Sequence, residues 1–121
     1  MPSPVRVTFL GGLGQIGRNC AAIETEGRIV VLDCGQMFAG DDLPGVDAVL
    51  PNLDWLIENG DRIEACIATH AHEDHIGALP YLMRHLSFPI YGSPFTLGLV
   101  RHKLKEAGLV DRAELRVVHD G

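Results

Sequence analysis

The chain predicts a layered α/β fold, and three features of its sequence carry that expectation. Short β-branched runs open the chain, and two of them meet at Glu26-Gly27, a hairpin turn signal. Strand-like and helix-like segments alternate from about residue 51 onward. An apolar run over 63–69 leads directly into six residues dense in metal-ligand side chains. Strands first and alternating elements later are the pattern of helices layered against a sheet.

Residues 5–10 read as a first strand that enters a glycine-rich stretch. Residues 19–25 and 28–33 read as the two arms of the hairpin. Residues 35–50, with Gly40-Asp41-Asp42 and Pro44-Gly45, read as a long irregular loop. Residues 51–58 form a short amphipathic helix stopped by Asn59-Gly60. Residues 63–69 are a strand, and 76–86 a helix with Pro80 near its first turn, where proline is tolerated. Residues 89–91 are a short strand. Ser93-Pro94 then opens a longer helix to about residue 107, with serine as N-cap and proline in the first helical position. Residues 114–118 are a last strand. No repeat, low-complexity tract or linker interrupts the chain, and 121 residues fit one domain with a modest core.

The chemistry is concentrated in His70-Ala71-His72-Glu73-Asp74-His75, which holds three of the six histidines. Imidazole and carboxylate are ligands that zinc and other divalent transition metals accept. In extended chain, residues two apart point the same way, so His70 and His72 can grip one ion. Asp74 and His75 diverge in extended chain, but a turn can aim both at a second ion about 3.5–4 Å from the first, the separation of two-metal hydrolases. Chance polar residues in a surface loop would account for one histidine, not for His70, His72, Asp74 and His75 together within six positions. Catalytic zinc takes three protein ligands and a water. Two donors per ion therefore leave at least one more per ion to come from elsewhere. Glu73 is expected to face outward. His85 and His102 lie on expected helices and read as surface residues, and His119 ends a strand without a ligand pair around it.

The spacing His-x-His-x-Asp-His resembles the signature of the metallo-β-lactamase superfamily. The likeness extends to Gly11-Gly12-Leu13-Gly14-Gln15-Ile16-Gly17-Arg18-Asn19, to Val31-Leu32-Asp33-Cys34-Gly35 and to Leu43-Pro44-Gly45-Val46-Asp47. It also covers the run from Thr69 through Ile76-Gly77-Ala78-Leu79-Pro80-Tyr81-Leu82. Together these resemble the opening of the bacterial ribonuclease J family, in the β-CASP branch of that superfamily. The resemblance implies the amino-terminal half of an αββα sandwich. It implies a partial metallo-β-lactamase domain over residues 1–121, a fragment without the β-CASP insertion or the later ligands. It further implies two zinc ions (manganese being an alternative), with His70 and His72 on one and Asp74 and His75 on the other. Asp74 would touch the bridging water and take its proton. The implied substrate is single-stranded RNA, cut internally or from the 5′ end, by a homo-oligomeric enzyme at full length. Two competing readings stay open: part of another hydrolase of the same fold, acting on a thioester, lactone or lactam, or a vestigial metal-binding domain.

Asp33 ends its expected strand just before Cys34-Gly35. By itself it reads as a cap on the next turn. The resemblance implies that it lies beneath the metal site and orients a ligand, since metal-bound histidines donate their second N–H to such an acceptor. Gly12-Leu13-Gly14-Gln15-Ile16-Gly17 also matches a dinucleotide fingerprint, with Asp33 about 20 residues on. That reading needs a helix between two parallel strands, and residues 18–27 alternate in strand fashion instead. The expectation here is a glycine turn bringing the backbone close to the metal site.

Composition bounds the partners. Hydrophobic residues make up 46% and charged residues 21%, ordinary for a globular domain. Met1-Pro2-Ser3-Pro4 lacks a signal-peptide pattern, and no apolar run approaches the ~20 residues that span a bilayer, so a cytoplasmic protein without membrane contact is expected. Cys20, Cys34 and Cys66 lack metal-type spacing and read as buried thiols in a reducing compartment. A net charge of −6 speaks against a nucleic-acid platform built on lysine and arginine. The one weak basic patch, Arg101, His102, Lys103 and Lys105, reads as a solvated helix face.

Overall fold

A computed structural model describes residues 4–11, 19–35, 37–38, 48–49, 52–70 and 73–119. Six strands form one sheet: β1 (Arg6–Gly11), β2 (Cys20–Thr25), β3 (Arg28–Leu32), β6 (Ile63–Ile67), β7 (Pro89–Gly92) and β8 (Glu114–Val117), in the order β1-β2-β3-β6-β7-β8. The first three are antiparallel neighbours, and β3, β6, β7 and β8 run parallel. The β2–β3 turn places Glu26 at φ 52° and Gly27 at φ 78°. Two successive positive φ values are what a two-residue hairpin turn needs to match the strand twist. Open space surrounds Gly27, so backbone conformation and not crowding calls for glycine there.

Each parallel step is bridged by helix. Helix α1 (Leu53–Glu58) lies between β3 and β6, α2 (Glu73–Ile76) and α3 (Leu79–Met83) between β6 and β7, and α4 (Pro94–Glu106) between β7 and β8. All three steps advance in the same direction along the sheet. Right-handed crossovers taken in one direction put every helix on the same face. The core has that form: Ala22, Val31, Cys66 and Ile90 of the sheet cluster with Leu56, Leu79, Leu82, Met83, Val100 and Leu104 of the helices. The alternate residues, including Val7, Phe9 and Ile67, stand on the other face and remain exposed. One sheet with helices on one side and an apolar opposite side is half of an αββα sandwich.

Ser93 caps α4 as expected, accepting the Thr96 N–H at 3.2 Å, and Pro94 opens the helix. Two expectations are corrected. The stretch 35–50 is not wholly irregular: β4 (Met37–Phe38) pairs with β5 (Ala48–Val49) in a small antiparallel sheet. The helix expected over 76–86 is two short helices, beginning already at Glu73. Ala78 breaks it because its N–H bonds to Cys34 O, and Pro80 has no N–H with which to continue the ladder. A 3₁₀ turn, Gly60–Arg62, follows α1. The dinucleotide reading fails on topology, because β1 and β2 are antiparallel partners and not the parallel strands of a crossover. Its glycines, 12–17, lie outside the described residues, as does the expected approach of that turn to the site.

Candidate metal centre

Strands β3 and β6 end together, with Leu32 opposite Ile67. In parallel sheets ligands bind beyond the carboxyl ends of the strands, and the chemistry of this chain gathers there. Asp33 follows β3 with φ 60°, a conformation that aspartate tolerates better than most residues. Its N–H still bonds Ile67 O at 2.9 Å, continuing the ladder. The turn then removes its carbonyl from the ladder, and the side chain takes over. Asp33 Oδ1 accepts the Thr69 N–H at 2.7 Å, and Oδ2 accepts the Thr69 hydroxyl at 2.7 Å.

Helix α2 is clamped against this strand end by the backbone of Cys34. Its N–H donates to His75 O at 2.8 Å, and its carbonyl accepts from Ala78 N at 2.8 Å. The clamp swings His75 over Asp33, whose Oδ2 lies 2.9 Å from His75 Nδ1. Asp33 thus receives three hydrogen bonds while only 5% exposed. Satisfied this way, a buried carboxylate is stable. On the solvent side His70 lies beside His75, with ring centroids 4.5 Å apart and planes inclined by 37°.

The structure therefore brings Asp33, Thr69, His70 and His75 together. His72 lies outside the described residues; Asp74 is placed only by its backbone in α2, and its side chain and that of Glu73 lie outside them. Among the described residues no group of three His, Cys, Asp or Glu side chains is arranged to hold a metal ion. Two adjacent imidazoles, one tied by Nδ1 to a buried carboxylate, still fit a divalent ion such as zinc, since ligating histidines characteristically donate their second nitrogen to such an acceptor. Thr69 was not among the residues singled out from the sequence. Its only signal there is a hydroxyl immediately before the first histidine.

The other histidines stand apart. His85 and His119 are exposed, and His102 pairs with Glu106 one turn along α4 at 2.8 Å. Cys20, Cys34 and Cys66 are free, buried thiols. The Cys34 thiol is held well above its ordinary pKa by a hydrogen bond with Cys20 and by burial, and burial raises that of Cys66. Protonated thiols in apolar surroundings are inert core residues.

Comparison with known proteins decides the family. The sequence profile of the Metallo-beta-lactamase superfamily matches residues 13–113. The chain belongs to the metallo-β-lactamase superfamily. Members of this superfamily are typically metal-dependent, often through zinc. Over 106 residues the chain is 50% identical to ribonuclease J of Mycolicibacterium smegmatis, a match covering 87% of the chain and 19% of that protein. It is 45% identical to ribonuclease J 1 of Streptococcus pyogenes over 108 residues, covering 89% and 19%. It is 43% identical to ribonuclease J2 of Bacillus subtilis over 115 residues, covering 95% and 21%. The chain thus spans about a fifth of the length of these curated relatives. Among solved structures, the metallo-β-lactamase fold protein YhfI of Bacillus subtilis aligns with TM-score 0.63 at 16% identity, over 96% of this chain and 46% of that one. The short form of human tRNase Z aligns with TM-score 0.56 at 22% identity, over 92% and 44%. These two support the fold. No helix among the described residues is long and apolar enough to cross a membrane.

Proposed function

We propose that this chain is the amino-terminal portion of a two-zinc ribonuclease that hydrolyses RNA phosphodiesters, internally and from the 5′ end, in cytoplasmic RNA processing and decay. The observation that carries the reading is the Asp33–His75 hydrogen bond beside His70, at the carboxyl ends of β3 and β6. The ribonuclease J names of relatives at 43–50% identity supply the substrate class. His70 and His72 would hold one ion, Asp74 and His75 the other. Bound zinc would lower the pKa of a shared water and offset charge on the phosphoryl oxygens. Manganese suits the same donors.

The chain's own residues do the rest. Asp33 holds the His75 ring, so that its Nε2 is presented without searching rotamers. Asp74 is the proposed proton acceptor for the attacking water. Two donors per ion fall short of the three protein ligands that catalytic zinc takes, so the isolated chain should bind zinc weakly and cleave RNA negligibly. Metal charge, not lysine, would hold the phosphate, which reconciles a net charge of −6 with an RNA substrate. Homo-oligomerisation belongs to the same proposal for the full-length enzyme.

The test replaces the matching segment of the Mycolicibacterium smegmatis relative with these 121 residues and follows cleavage of single-stranded RNA with Zn²⁺ or Mn²⁺. Cleavage that disappears in His72→Ala is the expected result. Hydrolysis of a thioester, lactone or β-lactam without action on RNA would favour another hydrolase of the fold. Inertness toward all of them, with metal bound, would leave a metal-binding domain.

A further inference from the structure

We infer that Thr69 is a positioning residue that sets the tautomer of His70, relaying to it the hold that Asp33 has directly on His75. The Thr69 hydroxyl has a single proton, and its oxygen lies 2.7 Å from Asp33 Oδ2. A carboxylate only accepts, so that proton is committed to Asp33. The same oxygen lies 3.0 Å from His70 Nδ1. With the hydroxyl proton spent, that contact is a hydrogen bond only if Nδ1 donates. The neutral His70 ring therefore carries its proton on Nδ1 and its lone pair on Nε2.

His75 obeys the same logic without an intermediary, because its Nδ1 lies 2.9 Å from Asp33 Oδ2 and must donate to it. Thr69 Oγ1 is also 3.5 Å from His75 Nδ1, which puts the hydroxyl between the two rings. One buried carboxylate thus fixes both imidazoles in the same tautomer, the one at arm's length through a hydroxyl. The Thr69 backbone N–H on Asp33 Oδ1 is a separate anchor that a side-chain replacement leaves in place. The significance for metal binding rests on the reading of His70 and His75 as ligands; the relay itself is a property of the metal-free chain.

The test is long-range ¹H–¹⁵N correlation spectroscopy of the imidazole rings in the metal-free 121-residue chain, which reads the proton on each ring nitrogen directly. His70 is assigned by difference from His70→Gln. The expected wild-type spectrum has both His70 and His75 protonated on Nδ1. Thr69→Val should move His70 toward a mixture of tautomers and leave His75 unchanged. Thr69→Ser should restore the wild-type pattern, and Asp33→Asn should disturb both rings. In a competition titration Thr69→Val should bind zinc about 10-fold more weakly, in the range usual for loss of a group behind a ligand. A wild-type His70 protonated on Nε2 would overturn the relay without any variant. A Thr69→Ser spectrum matching that of Thr69→Val would overturn it as well. Expected tautomers in a chain that took up no zinc would uphold the relay and count against the metal-site reading.

Discussion

Replacing Asp33 by asparagine should destabilise the chain markedly. Three donors converge on the carboxylate: Thr69 N–H and hydroxyl at 2.7 Å each, and His75 Nδ1 at 2.9 Å. Asparagine keeps the shape and tolerates the φ of 60°. It cannot accept on both sides. If its amide nitrogen takes the Oδ1 position it faces the Thr69 N–H; in the Oδ2 position it faces both the Thr69 hydroxyl and His75 Nδ1. Either choice removes at least one charge-assisted hydrogen bond, about 1.5–3 kcal/mol, and sets donor against donor, about 1–3 kcal/mol. Thr69 is exposed and His75 has a side-chain exposure of 21%, so water recovers part of the loss. A net cost of about 2–4 kcal/mol remains, a large share of the ~5–15 kcal/mol typical of a domain. Urea unfolding followed by far-UV circular dichroism should show the midpoint falling by about 1–2 M, for a slope of about 2 kcal/mol/M. Asp33→Ala should fall further, because alanine at positive φ adds about 1–2 kcal/mol. A midpoint within about 0.3 M of wild type for Asp33→Asn would refute the reasoning that this carboxylate holds the strand end and α2 together.

Three further outcomes follow from the packing. Ser93→Ala removes the N-cap of α4 and should cost about 1 kcal/mol in the same assay, with Thr at that position retaining most of it. The buried Cys34 and Cys66 thiols have folded pKa values above the ordinary thiol value, so the folded state holds protons that the unfolded chain releases. Their contribution is complete below about pH 8.5 and is lost as pH rises past it, so under reductant the chain should unfold more readily at pH 10 than at pH 7. Equal stability at the two pH values would contradict their burial. The open sheet face exposes Phe9 (60%) and Val7 (50%), and the isolated chain should self-associate through it; Phe9→Glu should shift its sedimentation toward monomer, and a wild-type chain already monomeric at high concentration would refute this.

What could be read from the sequence was mostly what is local. The Ser93-Pro94 start of α4 and the Glu26-Gly27 turn are set by residues within a few positions of one another, and both formed as expected. The β4–β5 pairing depends on partners about ten residues apart, across a stretch dominated by turn residues, and gave no usable period. The division of α2 from α3 follows from a backbone bond between Ala78 and Cys34, far apart in the chain. Alternation in an extended segment paired His70 with His72. The structure shows His70 beside His75, because α2 folds back over β3, while the pairing of His70 with His72 lies outside the described residues. Thr69 escaped notice for the same reason: its partner Asp33 is 36 residues earlier, and a lone threonine before a histidine announces nothing. The sandwich came from resemblance; periodicity alone supported only layered α/β.

On the proposed function, metal in this chain goes to the histidine cluster at the ends of β3 and β6. X-ray absorption at the zinc edge, on the zinc-loaded chain and on His70→Ala, tests it most directly because nitrogen or oxygen ligands at about 2.0–2.1 Å are distinct from sulfur at about 2.3 Å. The predicted result is a nitrogen and oxygen shell containing imidazole, without sulfur, whose occupancy drops in His70→Ala. A sulfur shell, which would place the ion among Cys20, Cys34 and Cys66, or an unchanged spectrum in His70→Ala, would contradict the account.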